Sequence, residues 1–378
     1  MNYDVIVVGA GPAGSTAAAH LARYGLNTLL LDKAAFPRDK TCGDAIPLAA
    51  YDIFRDMGLA AIAQEGFFRI KRVVHRNAAD ELSLFDLTNH DFSTSEAFIA
   101  PRLRFDHLLY QHALACGAHF EQVQVTAPIM QQGYVMGVEG KRPDGQPVAY
   151  RSAVVVVADG ATSALARALR PEKRDPRCIA VAIRGYVETD VDLNPEIEID
   201  FMPETLPGYA WFFPTDKRRA NIGMGIRSDF YHRQAYALDD ILNLYAAKPH
   251  IRARIGTNPI LNVKAWQIPL FSFETQRVFD GALLAGDAGD FVNQITGDGI
   301  YEALFTGRCA AETVAQAFAT HDFSMDTLVH YDTLWKAALG ERFKEAEILN
   351  NLATISPEII SRAIFHTGQN HHEAHGVS

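Results

Sequence analysis

Uninterrupted apolar runs punctuate this chain, and each one stops at a turn. DVIVV occupies 4–8, TLLLD 28–32, SAVVVVADG 152–160 and GALLAGD 281–287. Short continuous runs bounded by Gly and Asp predict buried strands, since a half-exposed strand would alternate apolar with polar. Helical spacing takes over after Pro101 in RLRFDHLLYQHALACGA, after Gly299 in IYEALFTGRCAAETVAQAF, and in stretches between Tyr331 and Asn350. Ser356 and Pro357 read as the N-cap and first residue of a terminal helix. Between about 178 and 270, β-rich segments and turn residues predict a second sheet. Within it, the alternation of GYAWFFP sends Tyr209, Trp211 and Phe213 to one face and Phe212 to the other, and ANIGMGI reads as a further strand.

The first run leads directly into Gly9, Gly11 and Gly14, and the second ends on Asp32. Strand, tight glycine turn, helix and acid-terminated strand together make the nucleotide-binding half of a Rossmann unit. Gly9 allows the turn, Gly11 keeps side-chain atoms away from a pyrophosphate, and Gly14 lets the helix approach the sheet. Pro12 and Ala13 complete the loop whose free N–H groups face the phosphates. Asp32 is placed to accept hydrogen bonds from an adenosine ribose and disfavours a 2'-phosphate. The motif alone leaves FAD and NAD both open.

Composition narrows the partners. The 378 residues carry a net charge of -10 and a pI near 5.8, which offers no general attraction for nucleic acid. Four scattered cysteines, Cys42, Cys116, Cys178 and Cys309, form no CxxC pair and suit a reducing compartment. With no signal segment and no apolar stretch of membrane-spanning length, the expectation is a cytoplasmic protein that touches a membrane only at its periphery. No Walker motif or nucleophile elbow is present, and the only HxxxH spacing, His371 to His375, falls in the terminal stretch, so no metal site is expected. His366, His371, His372 and His375 read as a polar tail.

Six segments together carry a resemblance: GAGPAG at 9–14, FPRDKTCGDAI at 36–46, RLRFD at 102–106, ADGATS at 158–163, PGYAWFFP at 207–214 and GDAGDFVNQITGDGI at 286–300. In them the chain resembles the geranylgeranyl reductase family, within the FAD proteins of p-hydroxybenzoate-hydroxylase-like fold. The resemblance covers most of the chain and implies FAD as cofactor. It also implies that Arg102, Arg38, Asp159, Gly286 and Asp287 stand in the FAD environment. Gly297, Gly299 and Ile300 would lie beside the isoalloxazine ring, with the positive end of the following helix directed at it. A competing role for Arg102 is an ion pair with Asp106. Cys42 and Asp44 are implied near flavin and substrate as catalytic candidates, and Tyr209, Trp211 and Phe213 as an aromatic wall against the substrate.

The expected fold is therefore α/β: a Rossmann-like FAD-binding domain (1–65, 96–172 and 271–325) interleaved with a β-rich substrate domain (66–95 and 173–270) and followed by C-terminal helices and tail (326–378). The expected activity is FAD-dependent saturation of carbon-carbon double bonds in a geranylgeranyl or other polyprenyl chain, a hydrophobic or lipid substrate. No second Rossmann fingerprint is present, so electrons come from outside, from NADPH, NADH or ferredoxin, the last being a protein partner. The alternative enzyme is a monooxygenase or halogenase acting on an aromatic or specialised metabolite. WFFP departs from the halogenase Trp-x-Trp-x-Ile-Pro pattern. A third reading is a noncatalytic FAD-bound scaffold or redox sensor.

Overall fold

The computed structural model describes residues 2–87 and 97–363, so the tail histidines lie outside the described residues. The apolar runs form one sheet, in the order Val278–Phe279, Ala282–Leu284, Pro147–Val157, Asn2–Val8, Thr28–Asp32 and His119–Gln122. All these pairings are parallel except the first. The hairpin Gln124–Gln131 and Tyr134–Lys141 extends antiparallel from Pro147–Val157. Val5, Val7, Leu30, Val154 and Val156 are buried on one face and Ile6, Leu29, Leu31, Val155 and Val157 on the other, which accounts for the unbroken apolar character of these strands.

Small residues set how closely the helices lie on this sheet. The helix Pro12–Arg23 is lined with buried Ala17, Ala18 and Ala19, and the helix Ile300–Thr320 packs against it. A Cβ at Gly307 would fall 2.2 Å from the Ala13 carbonyl oxygen, so glycine is what permits that contact. The long helix His330–Leu352 closes the far side through Tyr331, Trp335, Leu339 and Phe343.

A second sheet runs Leu261–Pro269, Ile179–Glu188, Arg219–Arg227, Tyr209–Asp216, Glu196–Asp200, Arg72–Arg76 and Leu82–Asp86. Its last two strands come from early in the chain and join through a parallel pairing with Glu196–Asp200. A small third sheet, Ala45–Ile46, Ala97–Ile99 and Phe68–Ile70, lies between the two.

The stretch between about 178 and 270, read as β-rich segments and turns, also contains the helices Leu238–Ala246 and Pro249–Ile255. Leu238, Ile241, Leu242 and Tyr245 stand at helical spacing and cover one face of the second sheet around Phe212 and Ile222. At the C-terminal end, helix begins near 359 rather than at Pro357, and Ser356 Oγ donates to the Glu358 carboxylate instead of capping a backbone N–H.

Candidate functional site

One cavity of about 1140 Å³ spans the two large sheets, and residues from all three sheets line it. At one end is the glycine turn. Gly9 adopts φ +100, and a Cβ there would sit 2.2 Å from the Ala158 carbonyl oxygen; at Gly14 it would sit 1.7 Å from the Gly9 carbonyl oxygen. Above Gly11 a Cβ would meet only Arg38 Nη2, at 3.3 Å, so the loop opens into the cavity. No side chain caps the helix that starts at Pro12. Its first N–H groups and its positive end are thus presented where an anion would bind.

Asp32 stands beside this turn, with both carboxylate oxygens already engaged by the chain. Oδ2 accepts from Ala10 N and Oδ1 from Ala34 N, each at 2.8 Å. It therefore shapes the loop as well as lining the cavity. Asp159, after the strand Pro147–Val157, carries a buried Oδ1 with no hydrogen-bond partner among the described residues. Burial pushes its carboxyl up to about 6 despite a hydrogen bond from Ser163.

Arg102 takes the competing role named above. Its Nε and Nη2 donate to Asp106 at 2.6 and 2.8 Å, while Arg38 Nη1 donates to the same carboxylate at 2.8 Å. Asp106 is completely buried between the two guanidinium groups. Both arginines still line the cavity, but the planar fork of Arg102 is spent inside the protein.

Gly286 and Asp287 form a short turn on the opposite rim, where Gly286 N donates to Thr306 Oγ1 at 3.0 Å and Asp287 lies 3.5 Å from Lys40 Nζ. Gly297, Gly299 and Ile300 follow along the same wall. The positive end of the helix Ile300–Thr320 is not bare: Asp298 directly precedes it, its carboxyl pushed up by burial and pulled down by the Arg342 charge and the backbone N–H groups at the helix start. Behind it, fully buried Glu302 lies 3.3 Å from Arg342, and burial with the nearby Asp298 charge drives its carboxyl well above the usual range. The helix end expected to face a flavin thus already carries an acid.

The turn Cys42–Gly43–Asp44 sits directly against the aromatic wall. A Cβ at Gly43 would fall 3.0 Å from Phe213 Cε2 and 3.5 Å from Trp211 Nε1. Trp211 and Phe213 share one apolar cluster with Tyr209, Ile70 and Ile99, whereas Phe212 belongs to the core on the other face. Tyr209 donates to the Thr296 carbonyl and so ties the wall to the Gly297 rim. Cys42 Sγ accepts from Asp44 N at 3.3 Å, and burial pushes the thiol up.

Asp44 is completely buried at φ +67 and accepts from Tyr186 Oη at 2.6 Å and Asn221 Nδ2 at 2.8 Å. Burial pushes it up to about 6, against the pull of those two hydrogen bonds and of the Arg184 and Arg102 charges. Tyr186 and Asn221 escaped the sequence reading. The available signal was a lone Asn in the apolar strand ANIGMGI and a Tyr within IAVAIRGYVE, polar atoms where an alternating strand faces inward.

Glu198, Asp200 and His250 also converge, on the helix-covered side of the second sheet. Arg254 grips Glu198 through two bonds of 2.5 and 2.8 Å, and Tyr245 donates to Asp200 at 2.7 Å. Arg76 stands 3.2 Å from Asp200 as well. The cluster is an ion-pair network whose positive charges are supplied by arginine.

The sheet, the glycine turn and the cradle opposite it define a flavin-dependent oxidoreductase. Residues 2–304 match the family described as FAD binding domain. The chain is 32% identical over 364 residues to a digeranylgeranylglycerophospholipid reductase of Methanopyrus kandleri, covering 95% of this chain and 92% of that protein. It is 32% identical over 322 residues to menaquinone reductase of Mycobacterium tuberculosis, covering 82% and 76%. Among solved structures, a geranylgeranyl bacteriochlorophyll reductase-like protein of Thermoplasma acidophilum superposes with a TM-score of 0.82 at 24% identity, over 95% of this chain and 88% of that one. The chain belongs to the FAD binding domain family, in its geranylgeranyl reductase branch.

Proposed function

We propose that this protein saturates carbon-carbon double bonds in the polyprenyl chain of a lipid or quinone. The observation that carries the reading is the cavity itself. It is lined at one end by the glycine turn and elsewhere by Ile70, Ile197, Ile199, Trp211, Phe213 and Ile268, next to the Cys42 turn. An apolar wall of this kind suits a long hydrocarbon, and relatives named for a digeranylgeranyl glycerophospholipid and for menaquinone support a lipid substrate.

The open Gly11 turn, the uncapped helix at Pro12 and the orphaned Asp159 oxygen fit an extended dinucleotide. Gly9, Gly11, Pro12, Ala13, Gly14, Asp32, Arg38, Asp159, Gly286, Asp287, Gly297, Gly299 and Ile300 would hold FAD, with Arg102 bracing the site through Asp106. Bound FAD supplies the hydride chemistry and is recharged by an external donor, NADPH, NADH or a ferredoxin. Trp211 and Phe213 confine the prenyl chain and exclude water, with Tyr209 fixing the wall to the opposite rim. Cys42 holds a proton on Sγ at the cavity surface for the alkene carbon, and Asp44 fixes the turn that carries it. Among the described residues no helix is long and apolar enough to cross a membrane.

Anaerobic incubation of the chemically reduced protein with prenyl substrates tests this directly. The expected product gains two hydrogens per double bond. Failure to do so, together with oxygen-dependent insertion of oxygen or halide into another substrate, overturns the assignment in favour of a monooxygenase or halogenase.

A further inference from the structure

Tyr186 and Asn221 stand opposite each other on adjacent antiparallel strands, and both turn toward Asp44. Asn221 makes two further contacts: Nδ2 also donates to the Cys42 carbonyl at 2.7 Å, and Oδ1 accepts from Trp211 Nε1 at 2.9 Å. One fully buried amide therefore ties the aromatic wall, the thiol turn and the buried carboxyl together. Both of its N–H groups and its oxygen are used, which fixes its orientation.

We propose that Tyr186 and Asn221 are positioning residues for the reduction assigned above, holding Asp44 as a carboxylate so that the Cys42 turn keeps its place against Trp211. The role of Cys42 rests on that assignment, whereas the hold on Asp44 rests on its two side-chain hydrogen bonds.

Asp44 occupies the left-handed region at φ +67, which is strained for a residue with a side chain unless its surroundings hold it there. Its backbone is pinned at both ends: its N–H donates to Cys42 Sγ at 3.3 Å, and its carbonyl accepts from Ala100 N at 2.8 Å. The groups facing its carboxyl are Tyr186 and Arg184 from one strand, Asn221 from the next, the Arg102 backbone and charge from the helix Arg102–Ala115, and Cys42 beside it. Tyr186 Oη and Asn221 Nδ2 both donate to the same oxygen. Hydrogen bonds to the charged form favour it. Losing the Tyr186 hydroxyl therefore makes Asp44 take up a proton at higher pH. A protonated Asp44 is a poorer acceptor for these donors, so protonation loosens the turn.

The test follows Asp44 in FAD-loaded protein labelled with [13C]aspartate, its carboxyl resonance assigned by its loss in Asp44→Asn. The wild-type midpoint is expected near 6. In Tyr186→Phe it moves up by about one unit, a roughly tenfold gain in proton affinity. The acid limb of kcat for prenyl reduction moves with it while KM for the prenyl substrate holds. Asn221→Ser raises the midpoint too, and also raises KM because Trp211 loses its partner. Asp44→Asn loses the acid limb altogether. A midpoint that stays put in Tyr186→Phe overturns the proposal, and so does a shifted midpoint with an unmoved acid limb. The NMR titration needs no prenyl substrate: a shifted midpoint in a protein that reduces no prenyl chain supports the hold on Asp44 and overturns the reaction instead.

Discussion

The indole of Trp211 fills the space a side chain at Gly223 would need: a Cβ there would fall 2.3 Å from Cζ2 and 2.6 Å from Cε2. The two residues are cross-strand partners, so the glycine in ANIGMGI makes room for the aromatic wall. Gly223→Ala should cost about 1–3 kcal/mol through overpacking and push the indole off Asn221. The expected outcome is a folded protein that keeps FAD, with altered tryptophan fluorescence and a raised KM for prenyl substrate. Unchanged fluorescence together with unchanged KM would remove Trp211 from the substrate wall.

Arg102 and Asp106 give the second prediction. Because Asp106 is fully buried and shared with Arg38, Arg102→Ala leaves a buried carboxylate with half its neutralising partners. Breaking such a pair typically costs roughly 3–5 kcal/mol. Urea unfolding of the FAD-free protein should show that loss, alongside weaker FAD binding, and Arg102→Lys should recover only part of it because the bidentate fork is gone. Weaker FAD binding with unaltered unfolding would instead make Arg102 a direct cofactor contact.

The third concerns Gly307. Any side chain there meets the Ala13 carbonyl, so Gly307→Val should force the helix Ile300–Thr320 away from Pro12–Arg23. Since those two helices carry opposite sides of the cofactor cradle, a lower melting temperature and weaker FAD retention are expected together. Calorimetry and equilibrium flavin binding measure both, and a stable variant with full FAD affinity would contradict the packing argument.

What the sequence could say depended on how local each constraint is. The glycine turn was legible because Gly9 and Gly14 answer to atoms a few residues away or on the adjacent strand, and chemistry at that spacing has few alternatives. The face of Tyr209, Trp211 and Phe213 was legible for the same reason, as strand alternation is a local rule. The partners of Asp44 were not. Tyr186 and Asn221 lie 142 and 177 residues away in sequence and meet it only once two strands pair in register. Arg102 was ambiguous because an i,i+4 partner and a cofactor compete for the same guanidinium, and the burial of Asp106 that favours the pair shows only in the fold. The acid at the start of Ile300–Thr320 was in plain view as Asp298, but how far burial pushes its carboxyl up depends on how the turn closes.

Cys42 carries the last prediction. Burial raises its thiol above the usual range, the Asp44 charge adds to the rise, and Arg102 and Lys40 pull the other way without reversing it. The thiol is therefore protonated at neutral pH, the state a proton donor needs, and iodoacetamide should alkylate Cys42 more slowly than an ordinary thiol at pH 8. In Cys42→Ala the exchangeable proton is gone while the small side chain is kept. FAD should stay bound, and flavin reoxidation by prenyl substrate, followed by anaerobic rapid mixing, should slow by about 10²-fold or more, the usual contribution of a positioned general acid. Cys42→Ser, which keeps a proton on the same atom position, should recover part of the rate. If the folded, FAD-loaded Cys42→Ala protein is reoxidised at the wild-type rate, proton delivery belongs to another group. Cys42 then becomes a small half-buried residue in the turn that brings Gly43 against Phe213.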